Sequence, residues 1–144
     1  MCGNTGVGKT FLAGCLAKSL MEKDFVVSFI SSFSMNNLFL SYHTTFNEEK
    51  QGYLDALLDP DVLVIDDLGT ELTNAFTTSQ LFICLNERIL RKKSTIISTN
   101  LSLEDIKAIY SERVFSRISS HFTMVRLTGD DIRIQKKLLN LGGT

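Results

Sequence analysis

Residues 3–10 read Gly-Asn-Thr-Gly-Val-Gly-Lys-Thr and match the pattern Gly-x-x-x-x-Gly-Lys-Ser/Thr at every position. Glycines at these spacings allow consecutive backbone N–H groups to surround phosphate oxygens, at the positive end of the helix that we predict from Thr10. Lys9 supplies a cation for the outer phosphates, and the Thr10 hydroxyl supplies a ligand for Mg²⁺. The stretch predicts a phosphate-binding loop rather than a glycine turn that only connects two elements. The predicted nucleotide-binding residues are Gly3, Asn4, Thr5, Gly6, Val7, Gly8, Lys9, Thr10 and Phe11.

A second motif lies at 62–67, where four apolar residues precede two acids, Val-Leu-Val-Ile-Asp-Asp. An apolar run that ends in an acid places that acid at the carboxyl edge of a buried strand, where ligands bind in parallel sheets. We therefore expect Asp66 to hold Mg²⁺ beside Thr10, directly or through water. Asp67 points elsewhere and is predicted to polarise the attacking water. Two carboxylates in this order favour hydrolysis over binding alone.

A third motif, Ser-Thr-Asn at 98–100, ends the next predicted strand. A polar side chain at this position reaches between the acidic strand and the outermost phosphate, where it positions water. Taken alone, the triplet is a common strand-to-helix turn. Beside the two preceding motifs it predicts that Asn100 senses the γ-phosphate.

A fourth motif, Ser-Glu-Arg-Val-Phe-Ser-Arg-Ile at 111–118, carries Arg113 and Arg117 four residues apart, on one face of a predicted helix. One interpretation is a solvated face that pairs with Glu112 or Asp105. The other is an arginine finger offered to the nucleotide of a neighbouring subunit, where it accelerates phosphoryl transfer. The residues themselves do not decide between the two.

Helix-like and strand-like segments alternate along the chain, which predicts an α/β fold around a mostly parallel sheet. The predicted helices are Thr10–Met21, Ser34–Tyr42, Asn47–Leu58, Thr78–Lys93, a short one capped by Ser102, and Ser111–Ser119. The predicted strands are Phe25–Ile30, Val62–Ile65, Thr95–Ser98 and Met124–Leu127. The tail from Asp130 is predicted to be a charged helix or a frayed end.

Length and composition bound the class of protein. The 144 residues are typical of one domain, and we predict a single domain over residues 1–144. A hydrophobic share of 44% and a charged share of 22% exclude a disordered tail, a collagen-like repeat and a coiled-coil rod. A net charge of −1 gives no overall basic field, so contact with nucleic acid requires a local patch. Three widely spaced cysteines and no bilayer-spanning apolar run favour a cytoplasmic protein without membrane contact.

The four motifs, in this order and at these spacings, resemble the AAA+ ATPases of the bacterial helicase-loader group, which includes DnaC/DnaI-type loaders and IstB-type transposition helpers. The resemblance runs from Gly3 to about Arg133, and the run Asp-Asp-Leu-Gly at 66–69 is typical of the group. It implies a three-layer P-loop NTPase fold with strand order 5-1-4-3-2, and an open ring or spiral of subunits with ATP and Mg²⁺ between them. By position, Arg117 resembles the arginine finger and Arg113 its companion. The acid at 67 stands where many AAA+ proteins have Glu.

The beginning of the chain departs from that group. Members have a central strand directly before the phosphate loop, and this chain retains at most its last two residues, Met1 and Cys2. Members also carry an amino-terminal segment that binds the helicase or DNA, and we expect that segment to be absent from this chain. We therefore expect a truncated central first strand, which leaves a slot between neighbours whose backbone groups lack partners.

The resemblance implies an ATPase that converts ATP and water to ADP and phosphate, and that loads or remodels a replicative, DnaB-type DNA helicase during DNA replication. It also implies a homo-oligomer with nucleotide at the subunit interfaces. The alternatives are an IstB-type helper that serves a transposase on duplex DNA, and a truncated fragment that binds nucleotide without turnover. A small-molecule P-loop kinase needs an arginine-rich lid, and the sequence offers none.

For three groups of residues, the sequence does not decide whether they contact DNA or nucleotide. Phe33, Phe39 and Tyr42 follow the predicted strand Phe25–Ile30, and they either pack in the core or stack on single-stranded bases. The basic helix end at 88–93 is either a solvated terminus or a contact to DNA phosphates. Arg133 is expected to pair locally with the acids before it, and a sensor role is the second interpretation.

Overall fold

The fold is taken from a computed structural model, in which residues 1–44 and 49–141 are described. The helices are α1 (Lys9–Met21), α2 (Ser32–Thr44), α3 (Glu49–Leu58), α4 (Ala75–Leu90), α5 (Leu103–Ile109), α6 (Glu112–His121) and α7 (Ile132–Leu141). The strands are β1 (Val27–Ser31), β2 (Val62–Leu68) and β3 (Ser94–Thr99). None of the helices within the described residues is both long enough and apolar enough to cross a bilayer.

The three strands form a parallel sheet in the order β1-β2-β3, with β2 between the other two. Val62 pairs with Val27 on one side and with Ser94 on the other, which sets the register. The apolar residues 62–65 are all buried, as expected of a strand covered on both faces. Parallel strands end at one edge of the sheet, so the acids at 66–67 lie at its carboxyl edge. This architecture confirms the predicted α/β fold class.

Helices cover both faces of the sheet and bury two groups of apolar side chains. The larger group lies under α2, α4 and α6 and includes Phe39 and Val114, which are 1% and 0% exposed. The smaller group packs Ala13 and Ala17 of α1 on the opposite face of β2. Core packing is therefore the role of Phe39, whereas Phe33 is 63% exposed. The resulting three layers place the start of α1 next to the carboxyl edge of β2.

Met1 and Cys2 lie beside β3, where a further strand of the sheet would pair. Thr99 donates its N–H to the Met1 carbonyl at 3.0 Å, and the Met1 amino group donates to the Ile97 carbonyl at 2.6 Å. On the other side, the Cys2 N–H donates to the Val125 carbonyl at 2.9 Å. The two residues thus pair with both neighbours, as expected for the last two residues of the predicted central strand.

Next to Met1 and Cys2, the space alongside β3 is a cavity of about 590 Å³. We call this cavity the strand slot. Leu12 and Leu16 of α1 line one face of it and Ile118 of α6 lines another. Leu12 and Leu16 are 37% and 39% exposed as a result. The backbone N–H and C=O groups of one strand residue point to the same side of the strand, and alternate residues share that side. Because the Ile97 carbonyl faces Met1, the backbone groups of Ile97 and Thr95 point into the strand slot. The strand slot therefore offers apolar walls and ladder groups to an extended chain.

Joining an apolar strand ahead of Met1 is expected to fill the strand slot and stabilise the fold. The extension Ile-Val-Leu-Val is expected to raise the free energy of unfolding by about 3 kcal/mol, because each buried side chain contributes about 1.5–3 kcal/mol and ordering each residue costs about 1.5 kcal/mol. Urea unfolding followed by circular dichroism measures the change. A Gly-Ser-Gly-Ser extension of equal length is the control, and equal midpoints for the two extensions would contradict the prediction.

The observed bounds of α4 differ from the predicted ones at both ends. The helix begins at Ala75, three residues earlier, because Asn74 and Thr77 form a capping box. The Asn74 side chain accepts the Thr77 N–H at 2.9 Å, and the Thr77 hydroxyl accepts the Asn74 N–H at 3.0 Å. The helix ends at Leu90, before the predicted end, because Lys92 has a φ of 56° in the left-handed region.

Other predicted boundaries show smaller differences. α2 begins at Ser32 rather than Ser34, because the preceding serine hydroxyl accepts an N–H from the first turn. The predicted helix start at Asn47 lies outside the described residues. The prediction of a regular strand at 124–127 is wrong. Within the described residues, this segment pairs through an isolated bridge between Arg126 and Cys2.

Arg88 contradicts the prediction for the basic end of α4, which treated it as solvated or in contact with DNA. The side chain is fully buried, and it donates to backbone carbonyls that belong to three different segments. Its acceptors are the carbonyls of Leu57 (2.8 Å), Leu58 (3.3 Å), Pro60 (3.1 Å), Asp61 (3.4 Å) and Ser94 (2.5 Å), with the Thr95 hydroxyl at 3.0 Å. Burial lowers the pKa of Arg88 below its ordinary value. The residue therefore joins α4 to the end of α3 and to the starts of β2 and β3.

Candidate functional site

The phosphate loop, residues 3–10, leads from the carboxyl edge of the sheet into α1. Gly8 is the N-cap of α1 and has a φ of 91°, a left-handed conformation that favours glycine. No side chain caps the helix at this residue, so the first N–H groups of α1 remain available to an anion. Asn4 and Thr5 are exposed on the loop, and Phe11, 77% exposed, lines the adjacent cavity. The loop and helix start form a cradle suited to phosphate.

Lys9 lies inside this loop and is 5% exposed. Its Nζ donates to the carbonyls of Gly3 and Asn4, both at 2.7 Å. Burial lowers the pKa of Lys9, and the negative charges of Asp67 and Asp66 oppose that shift. The ammonium group is thus held by neutral carbonyls, and a phosphate would offer it a stronger, charge-assisted hydrogen bond.

Asp66, the predicted magnesium ligand, lies against the phosphate loop. The Thr10 hydroxyl donates to its carboxylate at 3.0 Å from Oδ2 and 3.2 Å from Oδ1. The Ser98 hydroxyl donates to Oδ1 from the neighbouring strand. A hydroxyl and a carboxylate are the oxygen ligands that Mg²⁺ takes beside phosphate oxygens, so this donor set fits the ion. Within the described part of the chain, no group of three or more His, Cys, Asp or Glu could hold a metal ion.

Asp67, the predicted water-polarising acid, has a φ of 55°. Its N–H donates to the Ser98 hydroxyl at 3.0 Å. Its carbonyl accepts the hydroxyls of Ser32 at 2.8 Å and Thr70 at 2.9 Å. Three hydroxyl groups therefore hold a backbone conformation that is unfavourable for a residue with a side chain. The half-buried carboxylate lies close enough to Lys9 to oppose the lowering of its pKa by burial.

Asn100, the predicted γ-phosphate sensor, follows β3 at the same edge of the sheet and is exposed. The structure places Ser98 rather than Asn100 in contact with both acids. Ser98 is fully buried, and its hydroxyl donates to Asp66 while it accepts the N–H of Asp67. Ser98 belongs to the predicted Ser-Thr-Asn motif, but its residue type and position alone did not predict a role for it. A serine directly after Ile96 and Ile97, at the carboxyl end of the strand next to the acids, was the signal that could have found it.

α7 lies over the phosphate loop and closes one side of a cavity of about 580 Å³. The Ile132 N–H donates to the Gly6 carbonyl at 3.1 Å. The Asp131 carboxyl group lies where a Cβ on Gly6 would be, so any larger residue at 6 would overlap it. Arg133 and Lys136 line the cavity. Lys136 was not among the predicted site residues, although two cations three residues apart on a helix share a face.

The two arginines of α6 lie elsewhere, since neither is among the described residues that line the phosphate-loop cavity. The Nε of Arg117 donates to the Asn86 side chain at 3.0 Å, and its guanidinium lies 5.6 Å from the centroid of the Phe82 ring. Arg113 is exposed and lines a cavity of about 500 Å³ between α4, α5 and α6. Glu112, one acid proposed to pair with them, instead pairs with a lysine of α5 at 3.1 Å. The finger interpretation stays a prediction.

Comparison with known proteins gives a family and a fold. The model of the family described as IstB-like ATP binding protein matches residues 1–140. The replicative helicase loader DnaI of Bacillus subtilis is 26% identical over 146 residues, which cover 91% of this chain and 46% of that protein. The crystal structure of the DnaC helicase loader has a TM-score of 0.75 and 29% identity, and the match covers 88% of this chain and 76% of that one. AMPPCP-bound DnaA of Aquifex aeolicus has a TM-score of 0.79 at 19% identity, over 96% of this chain and 43% of that one.

These matches confirm the resemblance stated from the motifs, and the solved structures confirm the AAA+ fold. The chain spans about half the length of the curated relatives it matches. The family match, in contrast, extends over nearly the whole chain and includes the phosphate loop and both acids. This chain therefore belongs to the IstB-like ATP binding protein family.

Proposed function

We propose that this chain binds Mg²⁺·ATP and hydrolyses it to ADP and phosphate. The observation that carries the proposal is the contact between Thr10 of the phosphate loop and Asp66 at the end of β2, at 3.0 Å. This contact joins a phosphate cradle to a carboxylate at the carboxyl edge of a parallel sheet, where nucleotides bind in such folds. The description of the matching family as ATP-binding supports the same ligand.

Binding would be shared between the backbone and a few side chains. The N–H groups of 3–10 and the ammonium group of Lys9 hold the phosphates, and Thr10 and Asp66 hold Mg²⁺. When bound, the ion offsets the negative charge of the phosphate oxygens. The exchange of carbonyl acceptors for phosphate at Lys9 favours binding because the new hydrogen bond is charge-assisted.

Hydrolysis would use the acids and the polar end of β3. Asp67 polarises the attacking water and Asn100 positions it, while Ser98 fixes the backbone of Asp67 through the observed hydrogen bond. Arg117 of a neighbouring subunit, with Arg113 as its companion, neutralises the charge that develops on the transferred phosphoryl group. The location of both arginines away from their own phosphate loop supports a role in trans.

The assembly that we propose is a homo-oligomer in which residues 1–144 form one ATPase domain with nucleotide at the subunit interfaces. Its partner would be a replicative, DnaB-type helicase, because relatives at 26% and 25% identity are named replicative helicase loaders. Single-stranded DNA is a further proposed ligand of the assembly. The exposed ring of Phe33 is suited to stacking on bases.

A second candidate function is that of an ATP-dependent transposition helper, favoured by the IstB-like description of the matching family. Both candidates require the same phosphate site, so the partner distinguishes them. Co-elution of the purified chain with a replicative helicase in the presence of ATP would support the loader. Co-elution with a transposase on duplex DNA would support the helper.

Replacement of Lys9 tests the nucleotide site. Lys9→Ala is expected to weaken Mg²⁺·ATP binding by about 100-fold, because hydrogen bonds to charged groups contribute about 1.5–3 kcal/mol and each 1.4 kcal/mol is a factor of ten. Isothermal titration calorimetry measures the affinity, and phosphate release measures turnover over a range of protein concentrations.

Lys23→Ala is the matched control, because Lys23 is exposed after the end of α1. It is expected to leave both affinity and turnover unchanged. Equal ATP affinity of the wild-type and Lys9→Ala proteins would contradict the proposed site. Tight binding without phosphate release at any protein concentration would support the nucleotide-binding fragment without turnover.

A further inference from the structure

Glu71 is a buried carboxylate that the proposed phosphate site does not use. The side chain is 8% exposed, and each of its oxygens accepts a hydrogen bond. Oε2 accepts the Gly69 N–H at 3.0 Å, and Oε1 accepts the Tyr110 hydroxyl. A buried carboxylate without donors is strongly unfavourable, so both bonds hold this side chain in place. We call the three-residue contact the Glu71–Tyr110 clamp.

At one end of the clamp, Glu71 accepts a hydrogen bond from Gly69, in the turn that follows the two acids of β2. Gly69 has a φ of 105°, and a Cβ there would overlap the side chain of Leu101. Asp67 has a φ of 55° and accepts the Thr70 hydroxyl at its carbonyl. These contacts leave the turn little freedom, so the position of Glu71 follows the backbone position of Asp67.

The other end of the clamp lies where α5 meets α6. Tyr110 is the C-cap of α5 and is 4% exposed. The next residue, Ser111, is the N-cap of α6 and accepts the Val114 N–H at 3.3 Å. Burial raises the pKa of Tyr110, and the hydrogen bond to the carboxylate adds to that shift, so the hydroxyl remains a donor. A movement of Tyr110 therefore acts on the start of the helix that carries Arg113 and Arg117.

We propose that the Glu71–Tyr110 clamp is a positioning device that transmits the occupancy of the phosphate site to α6. This inference rests on the proposed ATP binding and on the proposed role of α6 in a neighbouring subunit. A nucleotide that contacts the acids acts on the turn held by Glu71, and Tyr110 carries the displacement to α6. Each subunit then presents its arginines to the next according to its own nucleotide state.

Two other polar contacts of α6 within the described residues do not provide the same route. The ion pair between Lys107 and Glu112, at 3.1 Å, joins α5 to α6 but is exposed, so it holds the two helices weakly. The contact of Arg117 with Asn86 joins α6 to α4. Neither contact reaches the turn after β2, whereas the clamp joins that turn directly to the start of α6.

Amide hydrogen exchange of the whole chain, with and without Mg²⁺·ATP, tests the clamp. In the wild-type protein the nucleotide is expected to slow exchange at 3–10 and, by about fivefold or more, at 112–121. Tyr110→Phe is expected to keep the ATP affinity and the slowing at 3–10 but to lose the slowing at 112–121. Glu71→Gln retains an oxygen for the Gly69 N–H and an N–H for the tyrosine oxygen, so it is expected to keep both responses.

Tyr53→Phe is the matched control, because it removes a hydroxyl from α3 and is expected to respond like the wild type. If Tyr110→Phe does not fold, Glu71→Met supplies the comparison, since it removes the carboxylate but keeps the length of the side chain. The clamp is overturned if the nucleotide still slows exchange at 112–121 in Tyr110→Phe, or in Glu71→Met where that variant is used instead. It is also overturned if the nucleotide slows exchange at 3–10 but not at 112–121 in the wild type. Absence of slowing at 3–10 in the wild type overturns the proposed ATP binding, and the clamp with it.

Discussion

Arg117→Ala is expected to lower the turnover of the assembled protein by about 10³-fold, the lower end of the effect of an arginine finger, and to leave ATP binding unchanged. The guanidinium group would act on charge that develops only in the transition state, so its loss affects kcat rather than affinity. Phosphate release at rising protein concentration measures the first quantity, and calorimetric titration with ATP measures the second.

Two controls make this result specific. Arg91→Ala removes an exposed arginine whose partners are Asp59 at 3.4 Å and Glu87 at 3.7 Å, and it is expected to leave turnover unchanged. Mixing Arg117→Ala with Lys9→Ala creates interfaces in which one subunit supplies an intact phosphate loop and the other an intact Arg117. Turnover is expected to return in the mixture. No recovery on mixing, or a loss of ATP affinity in Arg117→Ala alone, would contradict a role in trans.

Arg88→Met is expected to lower the free energy of unfolding by about 3–5 kcal/mol. Five backbone carbonyls lose their guanidinium donor, and the methionine fills the space of the aliphatic stem without replacing any hydrogen bond. The total free energy of unfolding of a domain of this size is about 5–15 kcal/mol, so a large share of the stability depends on this side chain. Urea unfolding by circular dichroism measures the change.

Arg91→Met is the matched control for this prediction, since Arg91 lies three residues further along and is exposed. Its surface ion pairs contribute about 0–1 kcal/mol, so its unfolding midpoint is expected to change little. Equal midpoints for Arg88→Met and Arg91→Met would show that the buried contacts add nothing to stability.

The sequence predicted those parts of the fold whose determinants are local. The phosphate loop depends on eight consecutive residues, and β2 depends on four apolar residues followed by acids. Their contact, Thr10 with Asp66, was expected because both motifs end at the same edge of a parallel sheet. The start of α4 was harder to predict, because its capping box pairs Asn74 with Thr77, whereas the usual residue at that third helical position is Glu or Gln.

The parts that could not be predicted depend on side chains brought together from distant positions. Ser98 meets Asp66 only because the register of β2 and β3 places them side by side. Glu71 and Tyr110 are 39 residues apart, and no spacing in the sequence relates them. Arg88 was expected at the surface because a charged residue near a helix end is usually solvated. Its burial depends on carbonyls that three other segments direct at one point.

The place of Met1 and Cys2 has a thermodynamic consequence. These residues hydrogen-bond to β3 on one side and to Val125 on the other, and the next residue, Gly3, already belongs to the phosphate loop. Pairing of these two residues with the sheet and ordering of the loop therefore involve one continuous stretch of backbone. A ligand that binds only the ordered loop would shift the folding equilibrium by mass action. On the proposed function, ATP would act as a folding ligand, and the apparent stability of the domain would depend on the nucleotide concentration around it.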